Sequence, residues 1–472
     1  MSKNIYCIGI CGSGMGALAG LLKAQGHQVR GSDEHIYPPM STKLREWGIE
    51  VLSGYDPAHL TPTPDLVVVG NVIRAHNPEA EAVRRLQLPT LSMPQAVAQF
   101  GIGKRRSIVI AGTHGKTTTT ALAAHLLLHA GRDPSFLVGG ALVGYPESFR
   151  HGQGPDFVVE GDEYDTAYFD KGPKFIHYRA QTAIITSLEF DHADIFASIE
   201  AVEAAFARLI DSVAADGHLV IWHGAERARA LLARQRPSAR VTLYASRPTP
   251  DAELFCSDYA TGPAGLTFSP VWCGQELGEM TVPLWGDFSV CNALAALAAV
   301  GEAALTPAEL AAGFASFAGV RRRMEVRGTF GGVVLVDDFA HHPTAVRVTL
   351  AAARSRWPGQ RIWAIFEPRS ATSRRNIFQD AYRRAFAHAD RVILASHPRL
   401  HEIPAAERFD PEALARALSA ESVTAVCIPD AAAIAVHVSA AARPCDVVMV
   451  LSNGDFDGLH GRLEAALGAP AG

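Results

Sequence analysis

Ile108-Val109-Ile110-Ala111-Gly112-Thr113-His114-Gly115-Lys116-Thr117-Thr118-Thr119-Thr120 runs from a β-branched apolar segment through two glycines into a threonine-rich one. Read as a strand over 107–111, a loop, and a helix from Lys116, it is a phosphate-binding loop. Glycines let the main chain wrap closely around an anion, successive N–H groups and the helix N-terminus face it, and the Lys116 ammonium falls between the outer phosphates of a triphosphate. The Thr117 hydroxyl is then placed to ligate Mg2+. Gly112, Thr113, His114, Gly115, Lys116, Thr117 and Thr118 are the expected ATP contacts. A glycine-rich helix start with a solvated lysine would not need strand, glycines, lysine and hydroxyl in this order. Ile110 stands where the common form of the loop has its first glycine, so the loop is a variant.

Outward from this stretch, short Val/Ile-rich runs alternate with amphipathic or Ala/Leu-rich ones through almost all 472 residues. That texture belongs to mostly parallel sheets with helices on both faces, so the class is α/β. The length suits three domains. The first, 1–104, starts with a strand over 4–10, a turn over 12–16 and a helix over 17–25; Pro89, Pro94 and Gly101-Ile102-Gly103-Lys104 close it. The second, 105–319, carries the phosphate loop, buried strands over 156–160, 182–187 and 218–222, short β-like runs over 242–285, and helices over 292–300 and 307–317. The third, 320–472, opens at Arg321-Arg322-Arg323 and alternates strands over 333–336, 362–366, 391–395, 424–428 and 447–451 with helices. The expectation is a Rossmann-like domain, a P-loop ATPase-like domain and a second Rossmann-like domain.

A second glycine loop, Gly9-Ile10-Cys11-Gly12-Ser13-Gly14-Met15-Gly16, follows the first strand, with Asp33 after the next. Such a loop serves any diphosphate. NAD is one reading, with Asp33 on a ribose hydroxyl, and a nicotinamide-dependent oxidoreductase is its functional form. The Gly-x-x-Gly-x-Gly spacing departs from the usual dinucleotide fingerprint and favours a different diphosphate. Val158-Val159-Glu160-Gly161-Asp162-Glu163 and Leu188-Glu189-Phe190-Asp191-His192-Ala193-Asp194 put carboxylates and an imidazole at successive strand ends, where Mg2+ is commonly held and where helix caps also occur. Asp337-Asp338-Phe339-Ala340-His341-His342-Pro343 repeats this in the third domain. For His341 and His342 a ligand role and a packed turn stay equally open.

The formal net charge of −5 is spread along the chain, with 48% hydrophobic and 19% charged residues. This gives no basic patch for nucleic acid or an anionic membrane. Seven scattered cysteines, never in a CxxC pair, argue against a zinc site or a disulfide framework and fit a reducing cytosol. The N-terminus passes directly into a strand-like pattern, without the layout of a signal peptide, and the longest alanine-rich run, around 293–299, is too short to cross a bilayer. A cytoplasmic enzyme is expected; a monomer and a weak homodimer are both open.

With these residues assembled, the whole chain resembles the Mur ligase family. The marks are Gly9 to Gly16, Gly31-Ser32-Asp33, Gly112 to Thr119, Glu160, Asp191-His192, Asn292, Arg322-Arg323 and Asp337-Asp338-Phe339-Ala340-His341. A recycling branch, which joins UDP-N-acetylmuramate to the murein tripeptide L-alanyl-γ-D-glutamyl-meso-diaminopimelate, is suggested by Tyr37-Pro38-Pro39-Met40-Ser41, the segment Glu189 to Phe196, Glu367-Pro368-Arg369-Ser370 and Ser452-Asn453-Gly454. The alternative branch adds L-alanine to the same sugar nucleotide.

The resemblance implies an ATP- and Mg2+-dependent amide ligase working through an acyl phosphate. It places Lys116, Glu160 and His192 at the catalytic centre, with Thr117 and Glu160 on one Mg2+ and His192 on a second. Asn292 would contact adenine, Arg323 a phosphate, and Asp338 the ATP ribose or the closed interface. Gly12, Ser13, Gly14, Met15, Ser32, Asp33 and Asn71 would hold the UDP-sugar; His341, Arg369 and Ser370 would meet substrate in the third domain, with Arg369 on a peptide carboxylate. Hinge movement is expected near 104 and 319. Three positions depart from the family pattern. Phe288-Ser289 stand where His-Asn is common, Ser187 where Asn is common, and no lysine lies between His192 and Arg208 to be carbamylated.

Overall fold

The computed structural model describes residues 2–468 apart from Pro263, His397 and Ser422. Each of three sheets sits between helices. The first has five parallel strands in the order Glu50–Ser53, Gln28–Asp33, Asn4–Ile8, Leu66–Val69, Thr90–Ser92. The first strand stops at Ile8 because Gly9 turns to φ +81°. The helix that follows is Ser13–Ala24, so it begins four residues earlier than expected and takes in Gly14 and Gly16. At Gly16 a Cβ would lie 2.2 Å from the Met40 sulfur, so any side chain there would displace the end of Met40.

In the central eleven-stranded sheet, Arg106–Ala111 runs parallel between Thr182–Ile185 and Asp156–Gly161. Ala111 pairs with both Ile185 and Gly161. The phosphate loop, the acidic segment 160–163 and the segment 186–192 therefore leave the sheet at one level, which is where open α/β sheets bind ligands. The β-like texture over 242–285 resolves into a sheet edge whose main feature is the antiparallel pair Leu254–Gly262 and Gly265–Trp272. The helix Lys116–His129 packs against Asp287–Ala299, which is buried along most of its length.

The third sheet has the order Glu325–Phe330, Val333–Asp338, Val447–Leu451, Ile362–Phe366, Arg391–Leu394, Thr424–Cys427, parallel except at its first strand. That antiparallel edge strand was not expected. Its alternation of Glu325, Arg327 and Gly328 with apolar residues, and a shift of register at Gly328, disguise it. Leu451 pairs with Asp338 and Phe366, so Asp338, Ser452 and Glu367 emerge side by side.

One apolar cluster joins the first sheet to the central one: Leu21, Ile102, Phe149 and Phe157 belong to it, and Cβ atoms at Gly20 and Gly101 would collide with Phe149 and Phe157. The third sheet has separate clusters of its own. A rotation about residue 104 would have to open a shared core, whereas the linker near 319 carries no such penalty. There Gly319, Arg322 and Met324 all have positive φ.

Candidate active site

The loop between strand Arg106–Ala111 and helix Lys116–His129 is held in shape from behind. Gly112 has φ +132° and a Cβ there would lie 2.2 Å from Thr186 Oγ1; Gly115 has φ +82° and its Cβ would lie 2.6 Å from Asn292 Oδ1. Both positions need glycine for backbone and for space. Thr113 Oγ1 donates to the Glu189 carbonyl at 3.1 Å and accepts the Glu189 amide at 2.8 Å. The His114 amide donates to Ser187 Oγ at 2.8 Å, so the serine that replaces the family's usual asparagine anchors the loop. These groups are spent on shaping the loop. The amides of Lys116, Thr117 and Thr118, in the first helical turn, have no intrahelical acceptors and are left available to an anion.

Lys116 Nζ donates to the Gly112 carbonyl and to Glu163 Oε2, the latter at 3.2 Å. Burial works against its charge, but Glu163, Asp162 and Glu160 outweigh that and hold its pKa above the ordinary lysine value. Thr117 Oγ1 lies 3.2 Å from Glu160 Oε2 and accepts from the Arg323 guanidinium at 3.1 Å. Burial, then the neighbouring Asp162, push the Glu160 carboxyl above the usual carboxylate range, against the Gly139 amide, Lys116 and Arg323. A buried carboxylate paired with a hydroxyl at the mouth of a phosphate loop is a set of oxygen donors that a hard dication would relieve, so Thr117 and Glu160 fit Mg2+.

His192 is not on that pair. Its Nε2 lies 3.7 Å from Glu163 Oε1, its ring is 4.8 Å from that of Tyr164, and its backbone is left-handed at φ +55°. It reaches the loop lysine through Glu163, a residue within the acidic cluster of the sequence that chain order alone does not single out.

Asn292 is 6% exposed, and its Oδ1 accepts from Thr119 Oγ1 at 3.3 Å. It therefore supports the loop from beneath Gly115. Asp338 is 4% exposed; its two oxygens accept the amides of Met324 at 2.7 Å and Ala340 at 2.8 Å, and burial raises its pKa. It ties the linker turn to the strand end.

The third domain closes directly on this region. Asp191 Oδ1 accepts from Thr372 Oγ1 at 2.8 Å, and its Oδ2 lies 3.6 Å from His341 Nε2. Glu189 Oε2 accepts from Thr344 Oγ1 at 2.7 Å. The His114 and His342 rings lie 4.7 Å apart. Burial works to raise the Glu189 pKa, but His114, Thr344 and His342 outweigh it and bring it down to about 2. Burial, then His114, lower the His342 pKa to about 4. Nothing in the sequence singled out Thr372 or Thr344. Arg369 is partly exposed, with NH1 3.7 Å from Glu367 Oε1, and lies over Gly454. Ser370 Oγ accepts the Ser373 amide at 3.0 Å, so its hydroxyl shapes the turn.

At the first glycine loop the amides divide in two. Gly9 and Ile10 donate to the Ser32 carbonyl at 2.9 and 3.0 Å, and Cys11 donates to Asp33 Oδ2 at 2.8 Å. Asp33 Oδ1 accepts the His35 amide at 3.0 Å. Each Asp33 oxygen thus accepts one backbone amide, so the carboxylate shapes the loop and the turn after its strand. The Ser32 hydroxyl is buried and donates to Glu79 Oε2. The groups open to a diphosphate are at Ser13 and Gly14, exposed at the start of their helix above the buried Met15; Asn71 is exposed on the neighbouring turn.

All seven cysteines are free, and among the described residues no helix is long and apolar enough to cross a membrane. Three sequence profiles match: the Mur ligase family catalytic domain over 4–105, the Mur ligase middle domain over 110–300, and the Mur ligase glutamate ligase domain over 322–454. The chain is 38% identical over 461 residues to the UDP-N-acetylmuramate:L-alanyl-γ-D-glutamyl-meso-2,6-diaminoheptandioate ligase of Escherichia coli, covering 98% of this chain and 97% of that one. It is 36% identical to the UDP-N-acetylmuramate:L-alanine ligase of Kineococcus radiotolerans, covering 96% and 93%. Superposed on a murein peptide ligase from Psychrobacter arcticus, it gives a TM-score of 0.75 at 33% identity, over all of both chains.

Proposed function

The chain belongs to the Mur ligase family, and on that premise we propose that it joins UDP-N-acetylmuramate to L-alanyl-γ-D-glutamyl-meso-diaminopimelate, with ATP cleaved to ADP and phosphate. It is an ATP-dependent carboxylate–amine ligase. The sugar's lactyl carboxylate attacks the γ-phosphorus and ADP leaves. The L-alanyl amine then attacks the acyl carbon of the mixed anhydride, phosphate departs, the amine gives up a proton, and an amide remains.

Such a sequence needs positioning and charge neutralisation more than covalent help from the protein. Lys116 would turn its ammonium from Glu163 to the transferring phosphoryl group, and Arg323 would add a second cation from the far side of Thr117. Thr117 and Glu160 would hold Mg2+, and His192, facing Glu163, a second ion. Bound Mg2+ supplies charge neutralisation at the phosphate oxygens. Asn292 would offer its amide nitrogen to adenine, while Ser13, Gly14, Met15 and Asn71 receive the UDP-sugar. Arg369 would take a carboxylate of the peptide. The reading places the enzyme in the cytoplasm.

The observation that carries the proposal is that Arg323, on the linker to the third domain, touches Thr117 of the phosphate loop. A triphosphate seated there lies against the domain that presents the amine. Full-length likeness to the E. coli tripeptide ligase favours tripeptide over L-alanine. Phosphate release from ATP with UDP-N-acetylmuramate and either the tripeptide or L-alanine, followed by mass analysis of the product, tests this. Turnover with L-alanine alone would place the chain in the other branch, and no ATP-dependent product with either amine would end the proposal.

A further inference from the structure

Beside the oxygen-lined phosphate site lies a cluster with different chemistry. His114 of the phosphate loop, Glu189 beyond strand Thr182–Ile185 and His342 before helix Pro343–Arg356 bring one ligand atom each, an imidazole nitrogen or a carboxylate oxygen, within 4.8 Å of one another. His114 Nε2 is 3.6 Å and His342 Nδ1 3.8 Å from Glu189 Oε2. These gaps are too long for hydrogen bonds. They are close to the roughly 3.4 Å that separates two donors each about 2.1 Å from a tetrahedral ion. His114 Nε2 is also buried without a hydrogen-bond partner, which folded proteins seldom leave unexplained.

The His342 ring has the tautomer that ligation needs. It is 5% exposed, and its Nε2 faces the Phe190 carbonyl at 3.3 Å, the outer contact that sets the tautomer of a metal-binding imidazole. Its Nδ1 lone pair caps the following helix by accepting the Thr344 amide at 3.2 Å, with Glu189 Oε2 3.8 Å away. An ion would replace that amide, one of the first-turn N–H groups that have no intrahelical acceptor. Two imidazoles and one carboxylate are a borderline donor set, suited to zinc, cobalt or nickel rather than to Mg2+.

We propose that His114, Glu189 and His342 form a site for a divalent transition-metal ion, zinc by its donors, separate from the Mg2+ site. Two of the ligands belong to the central domain and one to the third, so the ion pins the third domain on the phosphate loop. The site stands whether or not the ligase reading holds.

The test is a Co2+ titration of the metal-stripped full-length protein in excess Mg2+, followed by visible absorption. One equivalent is expected to give the bands of nitrogen-ligated, low-coordinate cobalt, and Zn2+ to displace it. H342N, whose side chain can still cap the helix, and E189Q should each weaken binding by on the order of a hundredfold, while H192A leaves it unchanged. Thermal unfolding of the metal-free variants checks their folding, and because the two ligand variants lie in different domains either alone suffices. Absence of a stoichiometric band, unchanged affinity in a folded H342N or E189Q protein, or loss of the band in H192A overturns the proposal.

Discussion

The Arg323 guanidinium donates to the Thr117 hydroxyl at 3.1 Å, so the chain reaches the phosphate loop within four residues of the linker glycine, Gly319. Arg323→Ala should lower kcat by on the order of a hundredfold, as loss of one preorganised donor at a developing charge does. Arg323→Lys should recover only part, because an ammonium cannot reproduce the planar fork. Steady-state phosphate release measures both; an unchanged kcat in the alanine variant would remove Arg323 from the reaction.

Lys116→Met removes the cation that Glu163 meets at 3.2 Å. The expected loss of turnover is about a hundredfold or more. Without nucleotide, the variant should also be destabilised, because Glu163, 3% exposed, keeps only the His192 imidazole 3.7 Å away in place of its lysine. Denaturant unfolding shows the second effect, and restoring stability with Lys116→Met/Glu163→Gln identifies its cause.

Glu79 is fully buried and accepts from Tyr6, Ser32 and the Asp56 amide, with the His59 imidazole at 2.9 Å. Glu79→Ala leaves these groups without their acceptor and should cost about 3 kcal/mol. Because the Ser32 carbonyl holds the Gly9 and Ile10 amides, KM for the UDP-sugar should rise more than kcat falls. Chemical denaturation and a KM against kcat comparison check the two halves.

His218 and His342 are both nearly buried, and burial lowers each pKa to about 4, with Arg240 and His114 adding to the respective effects. The unfolded chain takes up these protons near the ordinary imidazole value of about 6.5, the folded one only near 4. Stability contributed by the two neutral rings is therefore complete above about pH 6.5 and is lost as pH falls toward 4. The slope should reach about 1.4 kcal/mol per pH unit per histidine. Unfolding between pH 7 and 4 tests this, and His218→Gln should flatten the curve.

The Arg356 guanidinium lies 3.7 Å from the Trp285 ring centroid, 4.6 Å from that of Trp357, and donates to the Met324 carbonyl at 3.2 Å. Trp285 is in the central domain, so this desolvated cation–π contact fastens the third domain. Its loss in Arg356→Ala should weaken docking by about 2 kcal/mol. Small-angle scattering should show the variant more extended than the parent, with residues up to 319 moving as one body; separation of the first domain instead would contradict the shared core.

The α/β class was legible because strands buried on both faces need uninterrupted apolar runs, as in Ile108 to Ala111 and Val447 to Leu451, whatever surrounds them. The edge strand Glu325–Phe330 was not, since one exposed face lets charged residues in. The phosphate loop was legible for a related reason: glycines at 112 and 115, a lysine and a hydroxyl are needed in chain order around one anion. The two backbone amides that Asp33 holds, from Cys11 and His35, were not legible, since they depend on how the loop and the strand end fold around the carboxylate. His192, expected apart from the Thr117–Glu160 pair, lies 3.7 Å from Glu163, a neighbour that chain order does not reveal.

By itself the sequence determined what is local: periodicity, the glycine turns, and the order of donors along a single loop. Which atoms of Asp33 or Asn292 stay free, that Thr372 answers Asp191 across 181 residues, and that His342 rather than His341 faces His114 were decided by tertiary structure alone. Hydrogen bonds and metal sites act over about 3 Å, and only the packed sheets bring distant segments within that range.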